Sequence, residues 1–256
     1  MSYRRFVVVS SPRSGTHMLH SALRRHRHIV ARSEAFNPDL VGHDAYDENT
    51  STGEVFNHHV YSKQPPHVGA VGFLLHRADA NIGPWGDIWD LLSADTEIRI
   101  IMLHRFDLLR RWLSFELMRE RTRRGNRQYR PEPVVVEAEN LRREFERYEG
   151  ELVAFRQLFS RHDRLQISYE DLCHRWPQTL RELQLFLGVP QQVLQPGTEA
   201  NPNIPLRQFI ANYDELAQEF ALSRWAHCFP APGGALTAVA RGGVELSSTQ
   251  AGSPKP

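Results

Sequence analysis

Phe6-Val7-Val8-Val9-Ser10-Ser11-Pro12-Arg13-Ser14-Gly15-Thr16-His17-Met18-Leu19 runs from β-branched residues through a small polar turn into a helix, with Met18, Leu19, Ala22 and Leu23 at helical spacing. A strand that enters a helix through a tight turn leaves several backbone N–H groups unpaired and aimed at one point. The helix N-terminus adds positive partial charge there, so the turn is an anion site by geometry. Gly15 allows close backbone approach, Ser14 and Thr16 add hydroxyls, and Arg13 adds a permanent cation with a planar fork. The nucleoside-triphosphatase pattern GxxxxGK[ST] does not fit, because no lysine follows Gly15 and no glycine precedes it.

Outward from this turn, strand signals alternate with helix signals. Phe6–Ser10, Ala70–Leu75, Ile98–Leu103 and Leu165–Ser168 read as strands, with His28–Ala31 a weaker fifth. Thr16–Arg25, Pro84–Leu92, Leu108–Arg123, Asn140–Phe159, Pro177–Leu187 and Pro205–Phe220 read as helices. The alternation predicts an α/β fold of P-loop type, in three layers, with a central, mainly parallel sheet of about four or five strands flanked by helices. Residues 37–68 show no clear period and are expected to form a long irregular insertion that is functional or mobile. Residues 1–229 read as one domain, and 230–256, rich in Gly, Ala, Ser and Pro, as a disordered tail.

Composition narrows the function classes. The formal net charge of 256 residues is +1, which gives no strong field for nucleic acid or an acidic membrane. No apolar window of about eighteen residues exists, so no integral membrane contact is expected. Met1 runs almost at once into a strand, which argues against a signal peptide, and Cys173 and Cys228 form no CxxC pair; a cytoplasmic protein is expected. No metal-ligand spacing is evident: His58-His59 and His26-x-His28 lack further partners. Oligomeric state is open, a homodimer included.

A second strand–helix unit carries the next signal. Arg105 ends the run Ile98–His104, and Ser114 follows nine residues later on a helix. Both can meet a second anion at the carboxyl rim of the sheet, where open α/β sheets bind ligands. Arg gives a bidentate charge and Ser a neutral hydrogen bond. A third block, Ser168-Tyr169-Glu170-Asp171-Leu172 with Phe186-Leu187-Gly188, and a fourth, Asn212-Tyr213-Asp214-Glu215-Leu216, are read as architectural, with Glu170 and Asp171 capping the segment that follows them.

Taken together, these motifs resemble the sulfotransferases that use 3'-phosphoadenosine 5'-phosphosulfate (PAPS), over roughly residues 5–220. The resemblance is nearest to the bacterial carbohydrate enzymes of trehalose, Nod-factor and lipopolysaccharide type. It implies that Pro12, Arg13, Ser14, Gly15, Thr16 and His17 hold the 5'-phosphosulfate, and that Arg105 and Ser114 hold the 3'-phosphate. It implies in-line sulfonate transfer, without a metal, to a small-molecule, glycan or glycolipid hydroxyl. Arg13 then stabilises the leaving oxygen, and Glu34, in Ser33-Glu34-Ala35-Phe36, is the general base, its pKa raised by partial desolvation. His17, His20 and His104 are the other base candidates.

Three departures from the family stand out. His17 replaces a Ser, Thr or Trp. Leu74 stands where a Lys is frequent, a role left to His76 or Arg77. The Arg-Lys-Gly segment that grips the 3'-phosphate in cytosolic animal enzymes is missing, with Arg207 a weak substitute. Arg119–Arg130 forms a basic cluster that suits an anionic acceptor better than RNA. A P-loop nucleotide kinase and a non-catalytic nucleotide-binding scaffold remain as alternatives; the acceptor cannot be named from the sequence.

Overall fold

In the computed structural model, β1 (Arg4–Ser10) is the middle strand of a five-stranded sheet. The structure describes residues 3–37, 47, 49–77, 84–124, 132–197 and 205–230. Much of the expected tail, part of the 37–68 insertion and the basic residues beyond 124 lie outside them.

α1 (Thr16–Leu23) follows the turn, β2 (Ile29–Glu34) returns at one edge, and β3 (Ala70–His76) inserts between β2 and β1. After α3 (Ile88–Ala94), the chain crosses to the other side of β1 as β4 (Arg99–His104), with β5 (Arg164–Ser168) outermost. Every pairing is parallel, in the order β2-β3-β1-β4-β5. The connection after β1 leaves toward one edge and that after β4 toward the other, which opens a crevice at their carboxyl ends.

Alternation along the central strands serves two covered faces. Val7, Val9, Phe73, Ile100 and Met102 pack with Phe36, Trp85, Phe155 and Phe159 on one side. Phe6, Val8, Leu74, Ile101 and Leu103 pack with Met18, Leu19, Leu23, Leu180 and Leu183 on the other. Gly72 has no room for a side chain, since a Cβ there would lie 2.4 Å from the Phe6 carbonyl oxygen. β2 is only half-buried at the edge, and its polar residues make it the weakest strand signal in the sequence.

Two expectations need correction. Residues 52–60 are helical: α2 (Thr52–Glu54) runs on as a π-helical turn, Val55–Val60. The pairs Val55-Phe56 and Val60-Tyr61 are buried at a five-residue spacing, and Tyr61 N–H donates to the Phe56 carbonyl at 3.0 Å. A search for a 3.6-residue period misses such a segment.

The expected helix Pro205–Phe220 is broken in two. After α4 (Leu108–Arg124), α5 (Ala138–Leu158), α6 (Tyr169–His174) and α7 (Trp176–Leu187) come α8 (Leu206–Phe209) and α9 (Tyr213–Glu219). Between α8 and α9, Ile210 bridges Val134, and the Asn212 side chain bonds both the N–H and the carbonyl of Val136 at 2.9 Å. This segment packs Leu206, Tyr213, Leu216 and Phe220 on Leu109, Leu113, Phe145 and Tyr148. No helix of the described residues is long and apolar enough to cross a membrane.

Candidate active site

The turn after β1 holds two left-handed residues, Arg13 (φ 69°) and Gly15 (φ 96°). A left-handed arginine costs about 1–2 kcal/mol, and such local strain is found where backbone N–H groups are turned toward a ligand. Gly15 is required twice over. A Cβ there would also lie 2.7 Å from Cδ2 of Tyr169. Gly15→Ala should therefore cost about 2–4 kcal/mol of unfolding free energy, from αL strain plus overpacking. Urea titration measures this, and an unchanged midpoint would refute it.

Arg13 is exposed, and its Nε–H donates to Ser114 Oγ on α4 at 2.9 Å. The first and second anion motifs are thus in contact across the β1–β4 crevice. Crowding by surrounding protein and, second, the Arg105 charge lower the Arg13 guanidinium below its ordinary pKa. Arg105 is 4% exposed and stacks 4.2 Å from the centre of the Tyr169 ring, with a buried Nε that has no hydrogen-bond partner in the protein. Among the described residues, neither Arg13 nor Arg105 pairs with a carboxylate. Two neighbouring cations without counter-charge, one with an orphaned donor, fit a polyanionic ligand.

The remaining turn residues are held from α4 and α5. Arg111, 2% exposed, donates to the Pro12 carbonyl at 3.2 Å and to Glu144 at 2.7 Å. Ser11 Oγ donates to Glu151 at 2.5 Å. Ser14 is fully buried and its hydroxyl pairs with Tyr148 Oη at 3.2 Å, while Thr16 is 4% exposed at the start of α1. Arg111, Tyr148 and Glu151 were not legible as site residues, because their contacts join segments 99 to 140 positions apart.

Glu34 ends β2 behind a bulge, where Arg32 pairs with Phe73 but Glu34 pairs with Leu74. The extra residue turns the Glu34 carboxylate toward the ends of β3 and β1. Oε1 lies 3.2 Å from His76 Nε2, and Oε2 accepts from Asn37 Nδ2 at 2.7 Å. The other His76 ring nitrogen, Nδ1, lies 3.0 Å from Ser10 Oγ and 3.2 Å from the Ser10 carbonyl. The three rim residues of β2, β3 and β1 thus form one hydrogen-bonded row. The Glu34 pKa falls to about 2, the reverse of the expected rise: the His76 hydrogen bond outweighs desolvation, with help from Asn37. The exposed His17 on α1 is within electrostatic reach of Glu34.

Other sequence candidates are occupied elsewhere. His20 Nε2 bonds the Ala31 carbonyl at 3.1 Å, and burial lowers its pKa. His104 is buried against Phe106, and burial pushes it down to about 4. The unfolded chain then takes up a proton below about pH 6.5 that the folded chain refuses until about pH 4. Stability should fall by roughly 3 kcal/mol across that window, and His104→Asn should flatten the loss. An unaltered pH slope in the variant would assign the effect to another group.

Leu74 is packed in the apolar layer beneath α1, and Arg207 is tied to Asp214 and Tyr213. Glu170 does not cap the segment after it. Its carboxylate accepts the Phe106 and Asp107 N–H groups at 3.1 Å ahead of α4, and Ser168 caps α6. Among the described residues, no group of three His, Cys, Asp or Glu could hold a metal ion.

The fold is an α/β fold of P-loop type, and its rim gathers the cations and backbone turn described above. No family model matches the chain, and no curated protein does. Solved structures do. A sulfotransferase from Alicyclobacillus acidocaldarius superposes with a TM-score of 0.52 at 16% identity, covering 90% of this chain and 96% of that one. The sulfotransferase domain from the curacin biosynthetic pathway gives 0.45 at 16% identity, with 87% and 92% covered. Mouse sulfotransferase SULT7A1, solved with PAP, gives 0.41 at 14% identity, with 89% and 90% covered. The likeness to the Alicyclobacillus protein is one of fold, and it spans nearly the whole of both chains.

Proposed function

We propose that this protein is a sulfotransferase that moves a sulfonate group from PAPS to an acceptor hydroxyl, with a carbohydrate or glycolipid as the acceptor class. The observation that carries the reading is the meeting of two cations without a carboxylate partner among the described residues, Arg13 and Arg105, at the carboxyl rim of a sheet whose edge strand ends in Glu34. Arg105 and Ser114 bind the 3'-phosphate, and the turn Pro12–His17 binds the 5'-phosphosulfate through the backbone N–H groups of Ser14 to His17. Arg13 lies where negative charge grows on the bridging oxygen of the leaving nucleotide, and a permanent cation stabilises it there.

In the transfer, the sulfur–oxygen bond to the nucleotide breaks as the bond to the acceptor oxygen forms, and the acceptor proton passes to Glu34. A carboxylate with a pKa of about 2 is a weak base in the free protein. Donor anions on the same rim push it back up, and the His76 contact offers the proton a second station. The Glu34-Ala35-Phe36 and Asn212-Tyr213-Asp214-Glu215-Leu216 stretches resemble the corresponding stretches of the bacterial carbohydrate enzymes, and that resemblance is what supports this acceptor class.

Incubation with PAPS and a panel of sugars and glycolipids tests the proposal. Acceptor-dependent formation of adenosine 3',5'-bisphosphate, with the sulfonate recovered on the acceptor, is the expected result. Phosphoryl transfer from magnesium–ATP to the same acceptors would replace the reading with a kinase.

A further inference from the structure

Tyr148 lies on α5, far in sequence from both anion motifs, and its one hydroxyl touches each. Its Oη accepts the Arg105 backbone N–H at 2.8 Å and shares a hydrogen bond with Ser14 Oγ at 3.2 Å. The side chain is fully buried, and the Arg111 guanidinium that holds Pro12 stacks 4.1 Å from its ring centre. Burial raises the phenol pKa, so the group stays a hydroxyl at neutral pH. Hydrogen bonds are short and directional, so one hydroxyl bonded to both segments fixes the distance between the turn after β1 and the end of β4.

With the donor reading taken as given, we propose that Tyr148 is a positioning residue that sets the spacing of the two anion sites. It thereby selects a nucleotide with phosphates at both the 3' and 5' positions over either monophosphate. Two sites on a rigid frame engage a matching ligand with the second contact made intramolecularly, so affinity exceeds that of either site alone. A loosened frame forfeits this gain and leaves each separate site nearly as it was.

The test titrates wild type, Tyr148→Phe, Ser14→Ala and the double variant calorimetrically with adenosine 3',5'-bisphosphate, AMP and adenosine 3'-monophosphate. Wild type should prefer the bisphosphate. Tyr148→Phe should lose about tenfold or more in bisphosphate affinity and less than about threefold for either monophosphate. Ser14→Ala keeps the backbone N–H of the turn and removes only a buried hydroxyl that faces Tyr148, so it should show the same pattern to a smaller degree. The double variant should be no worse than Tyr148→Phe, because the Ser14 bond is one of the two that Tyr148→Phe already removes. Equal losses for all three ligands, or no loss, would overturn the spacing role and leave the donor reading standing. A wild type without bisphosphate preference would overturn the donor reading and the spacing role with it. Should Tyr148→Phe fail to fold, the Ser14→Ala pattern decides.

Discussion

Arg105→Ala should weaken adenosine 3',5'-bisphosphate binding by about a hundredfold to a thousandfold, the equivalent of two charge-assisted hydrogen bonds. The size follows from where the guanidinium sits. It is 4% exposed, stacked on Tyr169, with a buried Nε that no protein atom satisfies. A guanidinium this buried and without a carboxylate partner has already lost much of its hydration, and a phosphate on its accessible edge would offset that cost. Lys in the same place should restore only part of the affinity, since it lacks the planar fork and the stacking face. Calorimetry on the variant reads this directly; a loss under about threefold would mean that no phosphate contacts Arg105.

Glu34→Gln should leave bisphosphate affinity within about twofold and lower turnover by about 10²–10⁴-fold, the usual worth of a positioned base. The amide keeps the size and can still accept from Asn37, but it cannot take the acceptor proton. Turnover within tenfold of wild type would move the base to another residue, with His76 the first to examine. Absence of turnover in both forms, with binding kept, would favour a non-catalytic scaffold. The same substitution has a signature in acid. The Glu34 pKa is depressed from 4.5 to about 2 in the folded state, so its contribution is complete above about pH 4.5 and is lost as pH falls toward 2. That contribution, on the order of 3 kcal/mol, should be missing from the acid-unfolding curve of Glu34→Gln.

Much of the fold was legible because its elements announce themselves locally. The β-branched run before Pro12 and the apolar period after Thr16 mark β1 and α1 within twenty residues, and β3, β4 and β5 are comparable short apolar runs bounded by turns. β2 was faint because an edge strand needs few apolar residues. The π-turn at Val55–Val60 was missed because its buried pairs recur every five residues. The break at Ile210 was invisible because its cause is Val134, seventy-six positions away.

At the site, residue types that bind anions could be picked from motifs, whereas their environment could not. Nothing in the sequence places Tyr148 between Ser14 and Arg105, or sets Arg111 against Pro12. The sign of the Glu34 shift depended on His76, which the chain brings near only by pairing β2 with β3 across a bulge. Desolvation alone predicts a raised pKa. The hydrogen bonds reverse it.

The most direct test of the central claim is calorimetric titration of the wild-type protein with adenosine 3',5'-bisphosphate and, in parallel, with magnesium–ATP. Micromolar binding of the bisphosphate with weak binding of magnesium–ATP is the expected result, since Arg13 and Arg105 present two cationic sites and the turn has no lysine for a terminal phosphate. Tight magnesium–ATP binding without bisphosphate affinity would contradict the assignment and turn the site into that of a nucleotide kinase.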